Sequence, residues 1–300
     1  MIYKNIFSLI GNTPVVKINK IFPKDIEVYA KLEWFNIGGS VKDRTVFYLL
    51  EDKKIKEELK KGKEIIEATS GNTGISLSMM AAVKGIKVTI VMPDSVSKEK
   101  KEIIKIFGAK LILSKGEKGT AGAIELKERL LRENPEKYVD LGQYKNERNI
   151  LAHYETTAKE IINDFSKKLE AVIVGIGTAG TAIGISKRLK QFNKKIKIIG
   201  VVPEKGVSIE GLRNPKDKFA TRLFNKKYFD EIYEIKKTEL PLLSRVALLL
   251  ARKEGLFCGI SSSAVTFVAL KKVKEKSCPK TLLLIFPDSG IKYLTTNFYS

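Results

Sequence analysis

EAVIVGIGTAGTAIG, residues 170–184, decides the fold class. After Glu170, its residues 171–174 are apolar and mostly β-branched, a pattern suited to a strand buried on both faces. A glycine-rich turn follows, and then small and aliphatic residues that continue helically into ISKRLK. Strand, tight turn and helix in immediate succession make one βα unit. The next strand-like run, IKIIGVVP (196–203), lies one helix length downstream, so the two strands should run parallel.

The same alternation extends in both directions. Further strands are expected at 26–33, 64–69, 87–93, 109–114, 230–235 and 280–287, and a short one at LFC, 256–258. Amphipathic stretches lie between them, including VKDRTVFYLLEDKKIKEELKKG and TAGAIELKERLLREN. The units fall into two groups, divided near 140–150 by the polar stretch DLGQYKNERN. The expected architecture is therefore α/β, with largely parallel twisted sheets covered by helices on both faces. The length of 300 residues suits two such lobes.

Composition excludes several classes. Hydrophobic residues make up 43% and charged residues 30%, which is ordinary for a soluble globular protein. No apolar run reaches the ~18–20 residues of a membrane helix, and the N-terminus lacks the pattern of a signal peptide. Cys258 and Cys278 form no CxxC pair and no disulfide framework, and no metal-ligand spacing is present. A cytoplasmic location is expected. The net charge of +21 comes from lysines mixed with glutamates, as in EDKKIKEELKKGKE. That mixture reads as solvated helix faces, with no nucleic-acid partner and no membrane partner, although the field would steer anionic substrates inward.

In open α/β sheets, ligands bind beyond the C-terminal ends of the strands. Four loops qualify. NIGGSVKDRT (36–45) has two glycines for a tight turn, Ser40 as helix cap reinforced by Asp43, and Lys42 in the first helical turn. A lysine opposes the helix dipole there, loses its proton more easily, and is suited to imine formation with an aldehyde. Taken alone it reads as a surface lysine. ATSGNTG (68–74) gathers Thr69, Ser70, Asn72 and Thr73 at a helix start, either a generously capped turn or a carboxylate site.

The third loop is the opening stretch itself. Gly175, Gly177 and Gly180 match GxGxxG, and Glu204 ends the next strand. This is the dinucleotide signature, and an NAD-dependent oxidoreductase is the rival from a different class. The same backbone N–H groups, with Thr178 and Thr181, would equally hold a phosphate monoester. In the fourth loop, GISSSA (259–264), Ser261 either caps a helix or faces a ligand.

Together NxGGSVKDR, TSGNTG, GxGTxGT and GISS, in this order, resemble the fold-type II pyridoxal-phosphate (PLP) enzymes of the cysteine synthase and cystathionine β-synthase group. The resemblance runs from IGNTPVVKI (10–18) to PDSGIKYLTT (287–296). It implies a two-domain fold: a smaller substrate-binding domain at 35–145, and a larger domain of 1–34 with 146–300 that binds the PLP phosphate. It implies that Lys42 carries PLP and also removes the Cα proton. Asn72 would meet the ring hydroxyl, and Gly177, Thr178, Ala179, Gly180 and Thr181 the phosphate. Thr69, Ser70, Thr73 and Gln143 would receive the substrate carboxylate, and Ser261 would face the ring nitrogen.

A neutral hydroxyl at that nitrogen makes the ring a weaker electron sink, which suits β-elimination. The implied reaction is β-replacement through an aminoacrylate, giving L-cysteine from an activated serine and a sulfur donor. A cystathionine β-synthase-type replacement is the nearer alternative. A homodimer is the family expectation.

Two positions depart from the pattern. Ala179 stands where many members have glycine, and Ser263 where GISSG or GISTG is usual. The segment after Glu204 lacks a KIQGIG-type loop and carries LRN. It resembles the branch that prefers O-phosphoserine and takes sulfur from a carrier-protein thiocarboxylate. There Arg213 would pair with the substrate phosphate, which a guanidinium fork suits better than an acetyl group. Otherwise Arg213 is a surface arginine on a turn. Phe298 and Tyr299 in the tail are expected to pack on the core rather than to form a lid.

Overall fold

The computed structural model describes residues 2–166, 168–217, 219, 221–275 and 278–300. Its strands are β1 (Val15–Ile18), β2 (Glu27–Leu32), β3 (Glu64–Ala68), β4 (Val88–Pro93), β5 (Lys110–Ser114), β6 (Tyr138–Asp140), β7 (Ala171–Gly175), β8 (Lys197–Pro203), β9 (Glu231–Ile235) and β10 (Thr281–Phe286). Its α-helices are α1 (Lys42–Leu50), α2 (Lys53–Lys60), α3 (Asn72–Lys84), α4 (Lys98–Ile106), α5 (Gly119–Glu133), α6 (Arg148–Glu155), α7 (Thr157–Phe165), α8 (Gly180–Phe192), α9 (Leu240–Glu254) and α10 (Ile260–Lys272).

Among the described residues the strands form two sheets, ordered β1-β2-β10-β7-β8-β9 and β5-β4-β3-β6. All pairings are parallel except β1 with β2. Every residue of β10 is buried. Leu282, Leu284 and Phe286 join the core on one face, and Leu283 and Ile285 the core on the other. Burial on both faces is why TLLLIF is a continuous apolar run without alternation.

The eight longer strands fall where the hydrophobic pattern puts them. β1 and β6, only four and three residues long, carry too few positions for a period to register. LFC forms no strand, only a bridge from Cys258 to Ser289. The amphipathic stretch after Lys42 is two helices, because Asp52 turns the chain and caps α2 through Lys54 and Ile55 N–H. The expected packing of the tail holds: Phe298 lies against the larger core, while Tyr299 packs on Phe257 and donates to Cys258 O at 2.7 Å.

Strand order reverses direction between β10 and β7 in one sheet and between β3 and β6 in the other. Such switch points open a crevice at the C-terminal strand ends. The loops after β2, β3, β6, β7 and β10 all emerge there.

Candidate active site

Lys42 opens α1, but not through the cap read from the sequence. The cap position is Val41, and Ser40 Oγ accepts from Lys42 N at 3.3 Å. Asp43 turns inward instead, where its carboxylate accepts from Gly38 N–H and Ser76 Oγ. A side chain at Gly38 would meet that carboxylate at 2.4 Å, so the glycine is sterically required. Behind them Arg44 is fully buried and anchors α1. It pairs with Glu33 beyond β2 and with Glu160 on α7, which also takes Lys31 at 2.8 Å. Arg44 and Lys31 hold the Glu160 carboxyl down at about 2 against the burial that opposes them.

The Lys42 side chain is half-buried in a cleft of about 230 Å³. Among the described residues no hydrogen bond or ion pair engages its ammonium. Burial lowers its pKa from 10.5 to about 8. A desolvated amine near neutrality can act as both nucleophile and base.

Thr69, Ser70, Asn72, Thr73 and Gln143 line the same cleft. The loop after β3 closes on itself, with Gly71 N–H donating to Thr69 Oγ1 at 2.9 Å. Gly71 has φ +143°, and a side chain there would run into the stem of Lys100. Thr73 Oγ1 donates to Gln143 Oε1 at 2.7 Å, and Gln143 Nε2 to Ala68 O at 3.0 Å. Asn72 is held from the other side: its amide donates to Asp288 at 2.7 Å and accepts from Lys292 at 3.0 Å.

Gly177 and Thr178 form the opposite wall, where a recess lined also by Ala179, Thr181 and Ser261 adjoins Lys42. The glycines let this turn pack tightly against its neighbours. A Cβ on Gly177 would lie 2.5 Å from Gly211 O, and one on Gly180 would lie 2.0 Å from Asn149 Oδ1. Gly180 is set back as the first residue of α8, whose first-turn N–H groups have no partner within the helix. Ala179 adopts φ +68°, the left-handed conformation that explains glycine's preference at this position. Ser261 does not cap α10, whose cap residue is Gly259. It is buried and borders the recess.

Arg213 lines the cleft beside Tyr144. Its Nη1 donates to Phe219 O at 2.6 Å, and its guanidinium sits 4.8 Å from the Tyr144 ring centre. The residues that the PLP resemblance implies line the cleft or the adjoining recess, Gly180 excepted. Glu204 does not: its carboxylate accepts from Lys237 N–H at 3.0 Å beyond β8, and it is not among the residues lining the cleft or the recess.

Sequence reasoning missed the buried supports. Asn149 donates to Gln143 O and Thr178 Oγ1, each at 2.9 Å, and accepts from Thr45. His153 is within hydrogen-bonding distance of Thr45, Thr157 and Thr181, and burial, with Lys42 next in effect, pushes its pKa well below 6.5. Lys100 pairs with Glu210 and lies 3.9 Å over the Tyr293 ring. Asn149, His153 and Lys100 are polar residues on the buried faces of α6 and α4, where the apolar pattern lapses, so no local signal marks them as supports of the site.

Residues 6–288 match the family model described as pyridoxal-phosphate dependent enzyme. A cysteine synthase of Aquifex aeolicus is 40% identical over 99% of this chain and 92% of its own length. A cysteine synthase structure from Entamoeba histolytica covers the whole chain, and 91% of its own, at TM-score 0.87 and 38% identity. The structure of an O-acetylserine dependent cystathionine beta-synthase from Helicobacter pylori covers both chains completely at TM-score 0.86 and 34% identity.

Proposed function

Because the chain belongs to the pyridoxal-phosphate dependent enzymes, we propose that it makes L-cysteine by replacing the β-substituent of an activated serine. The observation that carries this reading is the desolvated Lys42 amine, set between a glycine- and threonine-lined recess and a loop crowded with hydrogen-bonding side chains at a helix start. The donor set of the recess beside Lys42, the hydroxyls of Thr178 and Thr181 with the first-turn N–H groups of α8, suits the PLP phosphate. Gly177, Thr178, Ala179, Gly180 and Thr181 would hold that phosphate, Asn72 would reach the ring hydroxyl, and Ser261 the ring nitrogen. Bound there, PLP supplies the electron sink for losses at Cα and Cβ.

The protein's own residues do the rest. Thr69, Ser70, Thr73 and Gln143 fix the substrate carboxylate at the start of α3, where the helix dipole favours an anion. The Lys42 amine, near neutrality, takes the Cα proton. Arg213 orients the leaving group, and its guanidinium favours O-phosphoserine over O-acetylserine. The same reading assigns residues 35–145 to the smaller, substrate-binding domain. It also includes a cytoplasmic homodimer and a sulfur-carrier thiocarboxylate as donor beside sulfide.

Purified protein should be yellow, lose its colour with borohydride, and form cysteine from sulfide and activated serine. Arg213→Ala should lower kcat/KM for O-phosphoserine about 100-fold, the loss of a charge-assisted pair, while O-acetylserine turnover stays near wild type. Equal losses on both substrates would refute the O-phosphoserine assignment. Homocysteine outcompeting sulfide would favour the cystathionine-forming alternative, which the Helicobacter relative supports.

A further inference from the structure

Beneath the carboxylate-binding loop lies a buried charge that the reaction does not use. Glu67, the penultimate residue of β3, is fully buried. Burying a carboxylate costs several kcal/mol unless its oxygens are satisfied, and here they are. Glu67 Oε1 accepts from Ala68 N–H at 2.9 Å, and Oε2 accepts from Gln143 N–H at 3.2 Å. One carboxylate therefore ties the end of β3, where the Thr69–Thr73 loop begins, to the loop after β6 that carries Gln143.

Those two loops form the two sides of the site assigned to the substrate carboxylate. Thr73 fills Gln143 Oε1 and Ala68 O takes one Nε2 hydrogen, so the remaining N–H of that amide is free to face the cleft. Its direction depends on where the Gln143 backbone sits, and Glu67 sets that.

The charge is balanced from behind. Lys127 on α5 is 5% exposed and bonds Asp140 at 2.8 Å, and Lys145 bonds the other Asp140 oxygen at 2.6 Å. Asp140 also accepts from Gly142 N–H at 3.1 Å, one residue before Gln143. Two carboxylates and two ammonium groups sum to zero. Burial pushes the Glu67 pKa up and the Lys127 charge opposes that shift.

We propose that Glu67 is a positioning residue for substrate binding, which holds Gln143 in register with the Thr69–Thr73 loop while Lys127 and Asp140 balance its charge. This rests on the reading of that loop as the carboxylate site. Only a carboxylate accepts two N–H groups without presenting a donor of its own, so Glu67→Gln turns an amide against one of them.

The test uses the PLP-loaded enzyme. Glu67→Gln should raise KM for the activated serine, and the Kd for L-alanine read from the visible absorbance shift, by about tenfold. kcat should stay within about twofold and cofactor content should be unchanged. Unchanged KM and Kd would overturn the proposal. So would a joint fall in kcat, cofactor content and Tm, which marks a merely structural role. If Glu67→Gln does not fold, the charge-balanced Glu67→Gln/Lys127→Met variant takes its place with the same expected split and the same overturning results. Gln143→Ala runs in parallel. If it leaves KM unchanged, the carboxylate reading fails and the proposal falls with it. If it raises KM while Glu67→Gln does not, the positioning role alone is refuted.

Discussion

Lys42→Met should destroy activity and yet stabilise the cofactor-free protein at neutral pH. Burial lowers the Lys42 pKa from 10.5 to about 8, and each pKa unit is about 1.4 kcal/mol. Holding the ammonium in the folded cleft at pH 7 therefore costs about 3 kcal/mol, with no ion pair among the described residues to offset it. A methionine of similar length removes that cost. For 300 residues, at roughly 2.1 cal/mol/K per residue, 3 kcal/mol corresponds to a Tm gain of about 5 °C.

The sign of the pH dependence is fixed. The folded pKa lies below the unfolded one, so the unfolded chain holds more protons between pH 8 and 10.5, and wild-type stability rises with pH in that window. The advantage of the variant should be full at pH 7 and nearly gone at pH 10.5. Scanning calorimetry of both cofactor-free proteins at pH 7, 8.5 and 10 measures it. A variant no more stable than wild type at pH 7, or a gap that does not narrow with pH, would refute the account of Lys42 as an uncompensated buried amine.

Other consequences follow from the same geometry. Arg44→Met strands Glu33 and Glu160 without their guanidinium and should cost about 3–5 kcal/mol in denaturant titration. Glu160, lowered from 4.5 to about 2, contributes stability present above pH 4.5 and lost as pH falls towards 2; Glu160→Gln should flatten that limb of the acid-unfolding curve. Gly177→Ala puts a methyl 2.5 Å from Gly211 O, a backbone atom that cannot rotate away. It should weaken PLP retention about tenfold or more, read by equilibrium dialysis.

Much of the chemistry was legible in the chain. Glycines at 38, 71, 177 and 180, with polar residues beside them, mark the tight turns at the strand ends, where a side chain would collide with neighbouring protein atoms. Continuous apolar runs such as TLLLIF mark central parallel strands, because both faces are buried. Local signals were weaker where tertiary contacts override them: Ser40 and Asp43 looked like a capping box, yet Asp43 serves Gly38 and Ser76 instead.

The sequence by itself determined the class of fold, the order of the ligand loops and the lysine among them. Each of those is written in contiguous residues through period, turn chemistry and helix caps. Only the tertiary structure decided that Lys42 is desolvated, that Asn149 and His153 brace Thr178 and Thr181, and that Glu67 ties Gln143 to β3. Those properties arise from groups 28 to 104 residues apart meeting in a region of low dielectric, and no local pattern encodes such a meeting.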